Sequence, residues 1–228
     1  LKRDSINFST SLEVDTHQVY IVAVGTPLDL DLKPDMSALT DVLKEISKVL
    51  DRGNHIMLRS TVPVGVTREI VVPYLEDKTR LKAGKDFYIS FTPERTFEGN
   101  AMYELKTLPQ VVGGYSSQCV KNAVEFWSTL TPTVVRVDTL EAAEMVKLAN
   151  NTFRDLSFSF ANELALLADK YNVNVSTISR RLRKICDHLY LVFFTLAKND
   201  FHLERQDAQE MFSKFGKSWH SNVAEILA

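Results

Sequence analysis

The chain has 228 residues, 45% hydrophobic and 25% charged, with a formal net charge of -2. That balance supports a sizeable globular core and excludes a strongly basic nucleic-acid binder, while the lack of any apolar run of spanning length argues against a membrane protein. Two cysteines, Cys119 and Cys186, do not make a disulfide framework; with no visible signal peptide, they point to the cytoplasm.

In chain order, "VYIVAVGTP" is an apolar run ending in Gly25-Thr26-Pro27, as expected for a strand covered on both faces. In "PDMSALTDVLKEISKVLDRGN", Met36, Leu39, Val42, Leu43, Ile46, Val49 and Leu50 recur at helical spacing, with Asp35 placed to cap the start and Gly53 to end it. "HIMLRSTVPVGVTR" reads as a second buried strand, a turn over Ser60 to Gly65, and a helix. "DFYISFTPER" and "PQVVGGYS" are further strands, "SSQCVKNAVEFWSTL" a helix and "TVVRV" a short strand. Strands alternating with helices imply a parallel sheet.

From Thr139 to Asn172 there is neither Gly nor Pro. Asp138 and Glu141 suit a capping box, and the segment predicts one helix of roughly 30 residues or 45 Å. It is apolar on more than one side, which calls for burial or a partner. Glu144, Lys147, Asn151, Arg154 and Asp155 nevertheless form a polar stripe at intervals of three or four. The expected fold is α/β: a partial Rossmann-like parallel sheet over 1–138, a long central helix over 139–178, and a divergent, mostly helical segment over 179–228.

Ligands of open parallel sheets bind beyond the carboxyl ends of the strands. Gly25-Thr26-Pro27, Ser60-Thr61-Val62-Pro63 and Thr92-Pro93-Glu94-Arg95 all fall there. One such turn is as often structural as functional; three in succession suggest a ligand crevice. Glu94 is placed to act as a general base or to position a water, and Arg95 to pair with a phosphate or carboxylate. The plain alternative is a surface ion pair. Lys147 and Asn151, one turn apart, could stabilise an oxyanion or shuttle a proton, although spacing alone equally describes a solvated helix face. The five histidines, His17, His55, His188, His202 and His220, show no metal-ligand spacing, so no metal is expected.

Together, "VAVGTP", "STVPVGVT", "FTPERTFEGNAMYELKTLPQVVGG" and "AAEMVKLANNTFRDLSFSFANELALL" closely resemble the nucleotide-sugar 6-dehydrogenases, the family of UDP-glucose and UDP-N-acetylmannosamine dehydrogenases. The Arg after Pro-Glu and "NTFRD" resemble the UDP-N-acetylmannosamine branch most. The resemblance covers about Leu1 to Val175. It implies NAD-dependent double oxidation of the sugar's C6 alcohol to a uronic acid for cell-surface polysaccharide, through a cysteine-bound thioester that water releases. It further implies that Val24 to Leu28 (Gly25, Thr26 and Pro27 among them) and Ser60, Thr61 and Val62 line the NAD site, with Glu98 near it. Glu94 resembles the residue assisting proton transfer and thioester hydrolysis, Lys147 the proton carrier, and Asn151 its partner at the oxyanion. Arg95, Thr96, Lys147, Asn151 and Arg154 would contact the UDP-sugar. The family also implies a homodimer, expected here through the long helix.

Two features depart from the family pattern. Its opening G-x-G-x-x-G is not in this sequence, and the usual layout places roughly 75 residues before Leu1. Its nucleophilic cysteine lies in a glycine-rich loop, whereas Cys186 sits in "RKICDHLY" and Cys119 precedes the long helix; neither is assigned that role. The expectation is therefore little complete four-electron oxidation by this chain alone. Two other readings stay open: a 3-hydroxyacid-type dehydrogenase, to which Lys147 and Asn151 are also similar, and a non-catalytic remnant that binds or dimerises.

Overall fold

The structure is a computed structural model that describes residues 19–174, apart from 32, 97, 98 and 100, together with 8–10 and 12. Glu98, His17, Cys186 and the segment 179–228 lie outside the described residues. Contacts divide the chain into two compact units, Leu1–Phe158 and Ser159–Ala228, and the sheet belongs to the first.

Five strands, β1 (Val19–Val22), β2 (His55–Leu58), β3 (Tyr88–Phe91), β4 (Gln110–Gly114) and β5 (Val134–Arg136), form one sheet in sequential order. Helices α1 (Ser37–Val49), α2 (Val72–Thr79), α3 (Ala101–Thr107) and α4 (Ser117–Trp127) connect them, and α5 (Leu140–Lys170) comes last. A π-helical turn, Thr67–Val71, leads into α2. The expected long helix is present as a single 31-residue element.

The sheet is not wholly parallel. β1, β2 and β3 run parallel, as do β4 and β5, but β4 runs antiparallel to β3, pairing Ser90 with Gly114 and Phe91 with Gly113. The 92–109 connection therefore starts and finishes at the same end of the sheet instead of crossing it. Strand burial alone does not reveal this, because β4 is as fully buried as a parallel strand.

The two faces carry different cores. Ile56, Leu58, Ile89 and Val111 join Leu39, Leu43 and Ile46 of α1 and Leu75 of α2 in one cluster. Met57 and Val112, pointing the other way, join Ala123 and Trp127 of α4 in the second. This is the period-two alternation of a strand covered on both sides. β1 departs from it: Ile21 is 45% exposed, and β1 pairs only with β2 among the described residues.

Close packing at β4 needs its paired glycines. A Cβ on Gly113 would lie 2.3 Å from the Thr139 carbonyl oxygen and 2.8 Å from the Ala143 Cβ. A Cβ on Gly114 would lie 2.8 Å from the Val120 amide. Both α4 and the start of α5 thus approach the strand backbone directly.

Three expected caps differ in detail. Asp35 accepts from the Ser37 amide, but α1 starts at Ser37 with Met36 as its cap residue. α1 ends at Val49, and Gly53 lies beyond it in a turn that donates to the Asp86 carbonyl. Before α5, the Thr139 hydroxyl, not Asp138, accepts from the Ala142 amide, while Glu141 pairs with Arg68 instead of closing a capping box. A hydroxyl one residue nearer the helix reaches the free amides, and the Arg68 guanidinium draws the glutamate away.

Candidate active site

The site is built from the turns after β1, β2 and β3. The Arg59 amide donates to the Val22 carbonyl and the Thr92 amide to the Leu58 carbonyl, so each strand hands its pairing to the turn beyond. The Ser60 hydroxyl donates to the Val24 carbonyl and the Thr26 hydroxyl to the Thr61 carbonyl. These two bonds tie the first two turns together. Gly25 and Pro27 are exposed, Thr26 and Thr61 half-buried, and a Cβ on Gly25 would meet nothing within 4 Å. The strand end is open at this turn, so a ligand can approach the backbone there. Val62 is different: its side chain belongs to the core, so only its backbone can face a ligand. Among the described residues, no glycine-rich turn opens a helix to cradle a pyrophosphate, so the residues fit only part of a dinucleotide.

The third turn centres on Glu94. One carboxylate oxygen accepts from the Arg95 amide at 2.7 Å and the Thr96 amide at 2.8 Å. The other is paired with Arg59. Burial raises the carboxyl's proton affinity, but the Arg59 hydrogen bond, the Thr96 amide and the nearby guanidinium charge outweigh it and bring the pKa down to about 2. At neutral pH Glu94 is a weakly basic carboxylate, better suited in this geometry to orienting a group than to abstracting a proton.

From the other side comes α5. The Lys147 ammonium donates to the Glu94 carbonyl, 53 residues away in sequence. Burial lowers its proton affinity; Glu94 opposes this, and Arg154, Arg59 and Arg95 add to it. Asn151 and Arg154 are half-buried on the following turns of α5, spaced to share its face. The Arg95 guanidinium turns back to the Pro109 carbonyl. Glu94, Arg95, Thr96 and Lys147 thus meet at one end of the sheet. The small cleft beside them, also lined by Arg59, Glu104 and Gln110, encloses only about 10 Å³, room for about one water. A cavity of about 460 Å³ lies elsewhere, between Arg68, Tyr115, Lys121 and Arg136 near the far end of β4, away from these groups.

The polar stripe on α5 divides in use. Glu144, which lies on the same stripe, is wholly buried. It accepts from the Gly65 amide at 2.6 Å and from the amide and hydroxyl of Thr67, latching the start of the π-helical turn. Gly65 has φ +97, a conformation that favours glycine.

Arg59 is the residue that motif reading missed. It is 5% exposed, stacks over the Trp127 ring at 4.5 Å and donates to the side-chain oxygen Oε1 of Gln110 at 3.1 Å as well as to Glu94. An arginine directly after four buried strand residues was the available signal, because an unpaired buried guanidinium is too costly to tolerate.

Residues 1–131 match the family model "UDP-glucose/GDP-mannose dehydrogenase family, NAD binding domain", and 141–185 match that family's central domain. A UDP-N-acetyl-D-mannosamine dehydrogenase of Pyrococcus horikoshii is 39% identical over 157 residues, covering 69% of this chain and 37% of that protein. Among solved structures, a UDP-D-ManNAc dehydrogenase from Pyrococcus horikoshii aligns with a TM-score of 0.67 at 37% identity, over 72% of this chain and 39% of that one. A ternary complex of a Pseudomonas aeruginosa GDP-mannose dehydrogenase aligns at 0.68 with 28% identity, over 73% and 39%. The chain therefore spans about two fifths of the length of the relatives it matches.

Proposed function

The chain belongs to the UDP-glucose/GDP-mannose dehydrogenase family, and on that premise we propose that it carries part of the active site of an NAD-dependent UDP-sugar 6-dehydrogenase. The substrate is UDP-N-acetyl-D-mannosamine or a close relative, and the product is the uronic acid destined for surface polysaccharide. The observation that carries this reading is the Lys147 ammonium resting on the Glu94 carbonyl at the strand ends.

NAD, when bound, supplies the hydride acceptor; Gly25 to Pro27 and Ser60 to Val62 would hold part of it. Lys147 takes the C6 hydroxyl proton, a task favoured by the burial and neighbouring arginines that ease loss of its own. Asn151 shares the oxyanion with Lys147. Glu94, held as a carboxylate, orients a water. Arg95, Thr96 and Arg154 hold the nucleotide sugar. The protein works in the cytoplasm as a homodimer paired through α5, whose Met145, Phe153 and Leu156 are exposed apolar side chains on the first unit.

Titration calorimetry of the 228-residue chain with UDP-N-acetyl-D-mannosamine and with NADH tests the reading. Saturable binding of the sugar nucleotide, weakened in Lys147→Ala and Arg95→Ala, is expected. Binding of neither ligand overturns it. Sedimentation as a monomer at all concentrations would remove the dimer.

A further inference from the structure

We propose that Arg59 is a positioning residue of this site: its buried guanidinium, pre-aimed by Gln110 and Trp127, clamps the Glu94 carboxylate and so fixes the carbonyl on which Lys147 rests. Any catalytic consequence rests on the function proposed above; the clamp itself does not.

Three elements converge on Arg59. One guanidinium nitrogen donates to the side-chain oxygen Oε1 of Gln110 on β4. The Gln110 amide is fixed in turn by the Pro93 carbonyl at 3.2 Å and the Val111 carbonyl at 2.9 Å, so it presents its oxygen to Arg59. The guanidinium lies over Trp127 of α4. Its other terminal nitrogen is paired with Glu94. The planar fork allows this division of labour, and a lysine, with one point of charge, does not.

Glu94 is then held at several atoms. One oxygen meets Arg59, the other closes the turn through the Arg95 and Thr96 amides, and the carbonyl meets Lys147. Among the described residues, the charged groups facing this centre are Arg59, Arg95, Lys147 and Glu104, which lines the same cleft, with Arg154 acting on Lys147 from α5. Of the cations facing Glu94, Arg59 is the one whose guanidinium both meets the carboxylate and lies within the core. Loosening it frees the carboxylate to swing and the carbonyl to leave Lys147. Burial isolates Arg59 from solvent, so substrate cannot replace it.

The test is an NMR pH titration of the Glu94 carboxyl carbon and the Lys147 ammonium in the whole chain, comparing wild type, Arg59→Lys and Arg59→Met. Arg59→Met is expected to raise the Glu94 midpoint by about one pH unit or more. Arg59→Lys is expected to recover part of that shift, and both variants are expected to move the Lys147 midpoint. Loss of fold stability alone would leave the midpoints of the folded protein in place. Unchanged midpoints in Arg59→Met overturn the proposal. If that variant does not fold, Arg59→Gln, which keeps a polar head beside Gln110, is read by the same criterion. Calorimetry with UDP-N-acetyl-D-mannosamine and with NADH runs in parallel. Shifted midpoints in a protein that binds neither the sugar nucleotide nor NADH support the clamp and sink the dehydrogenase reading. Intact binding with unmoved midpoints does the reverse.

Discussion

Two carboxylates at the α5 face of the sheet, Glu144 and Glu94, are bonded almost alike and are suited to different tasks. Each accepts two backbone amides, Glu144 from the distant turn at Gly65 and Thr67, Glu94 from the turn that it begins itself. Glu144 has no exposure, and the Thr67 hydroxyl adds a third donor to it. Glu94 keeps 41% of its side chain exposed and shares its second oxygen with a buried arginine. The first arrangement closes a structure; the second holds a charge where a ligand can reach it. Solvent access, not the number of hydrogen bonds, separates the latch from the site.

The sharpest way to break the comparison is Glu144→Ala. It strands two amides and a hydroxyl in the interior, and should cost about 3–5 kcal/mol in urea unfolding. Survival with a loss below that of an ordinary surface substitution would show that the latch is dispensable.

Acid titration tests burial from another side. His55 is buried against the Ser90 hydroxyl, and desolvation lowers its pKa from 6.5 to about 4. The unfolded chain therefore takes up a proton first as pH falls. Its contribution is complete above about 6.5 and is lost down to about 4, worth about 3 kcal/mol at most. Glu94 acts in a lower window, its contribution being present above its ordinary 4.5 and lost towards about 2. Urea midpoints measured across pH 4–6.5 should fall in wild type and hold steadier in His55→Asn.

Gly113→Ala probes how closely α5 must lie for the latch to form. The added Cβ meets the Thr139 carbonyl, a backbone atom that cannot rotate away. A loss of about 2–3 kcal/mol is expected from overpacking, read in the same unfolding assay.

Glu94→Gln is the smallest in stability. The amide keeps an acceptor oxygen in place of the carboxylate, and Arg59 still has Gln110 and Trp127, so a loss of about 1–2 kcal/mol is expected, together with markedly weaker UDP-sugar binding. A stability loss as large as that of Glu144→Ala would erase the distinction between the two carboxylates.

Much of the fold was legible in the chain. The apolar runs of β2 and β3, the helical spacing of α1 and the long stretch without Gly or Pro that became α5 each specify local structure through burial and propensity. Glu94, Lys147 and Asn151 were legible as candidates only because their motifs occur together, and the structure brings Lys147 onto the Glu94 carbonyl. Period-based reasoning did not separate Glu144 from Lys147, since both lie on one stripe and differ only in what the sheet places above them. Arg59 was hidden for a related reason: it reads as the charged end of a strand, and its partners lie 35 and 51 residues away.

By itself the sequence determined the alternation of strands and helices, the three polar strand ends and the family to which they belong, because these depend on short-range pattern and residue type. Only the tertiary structure decided that β4 returns antiparallel, bringing Gln110 back to the strand ends beside Arg59 and Glu94. Only it decided which carboxylate is sealed and which is open. Solvent access and distant pairing arise when separate segments meet, and no local pattern carries them.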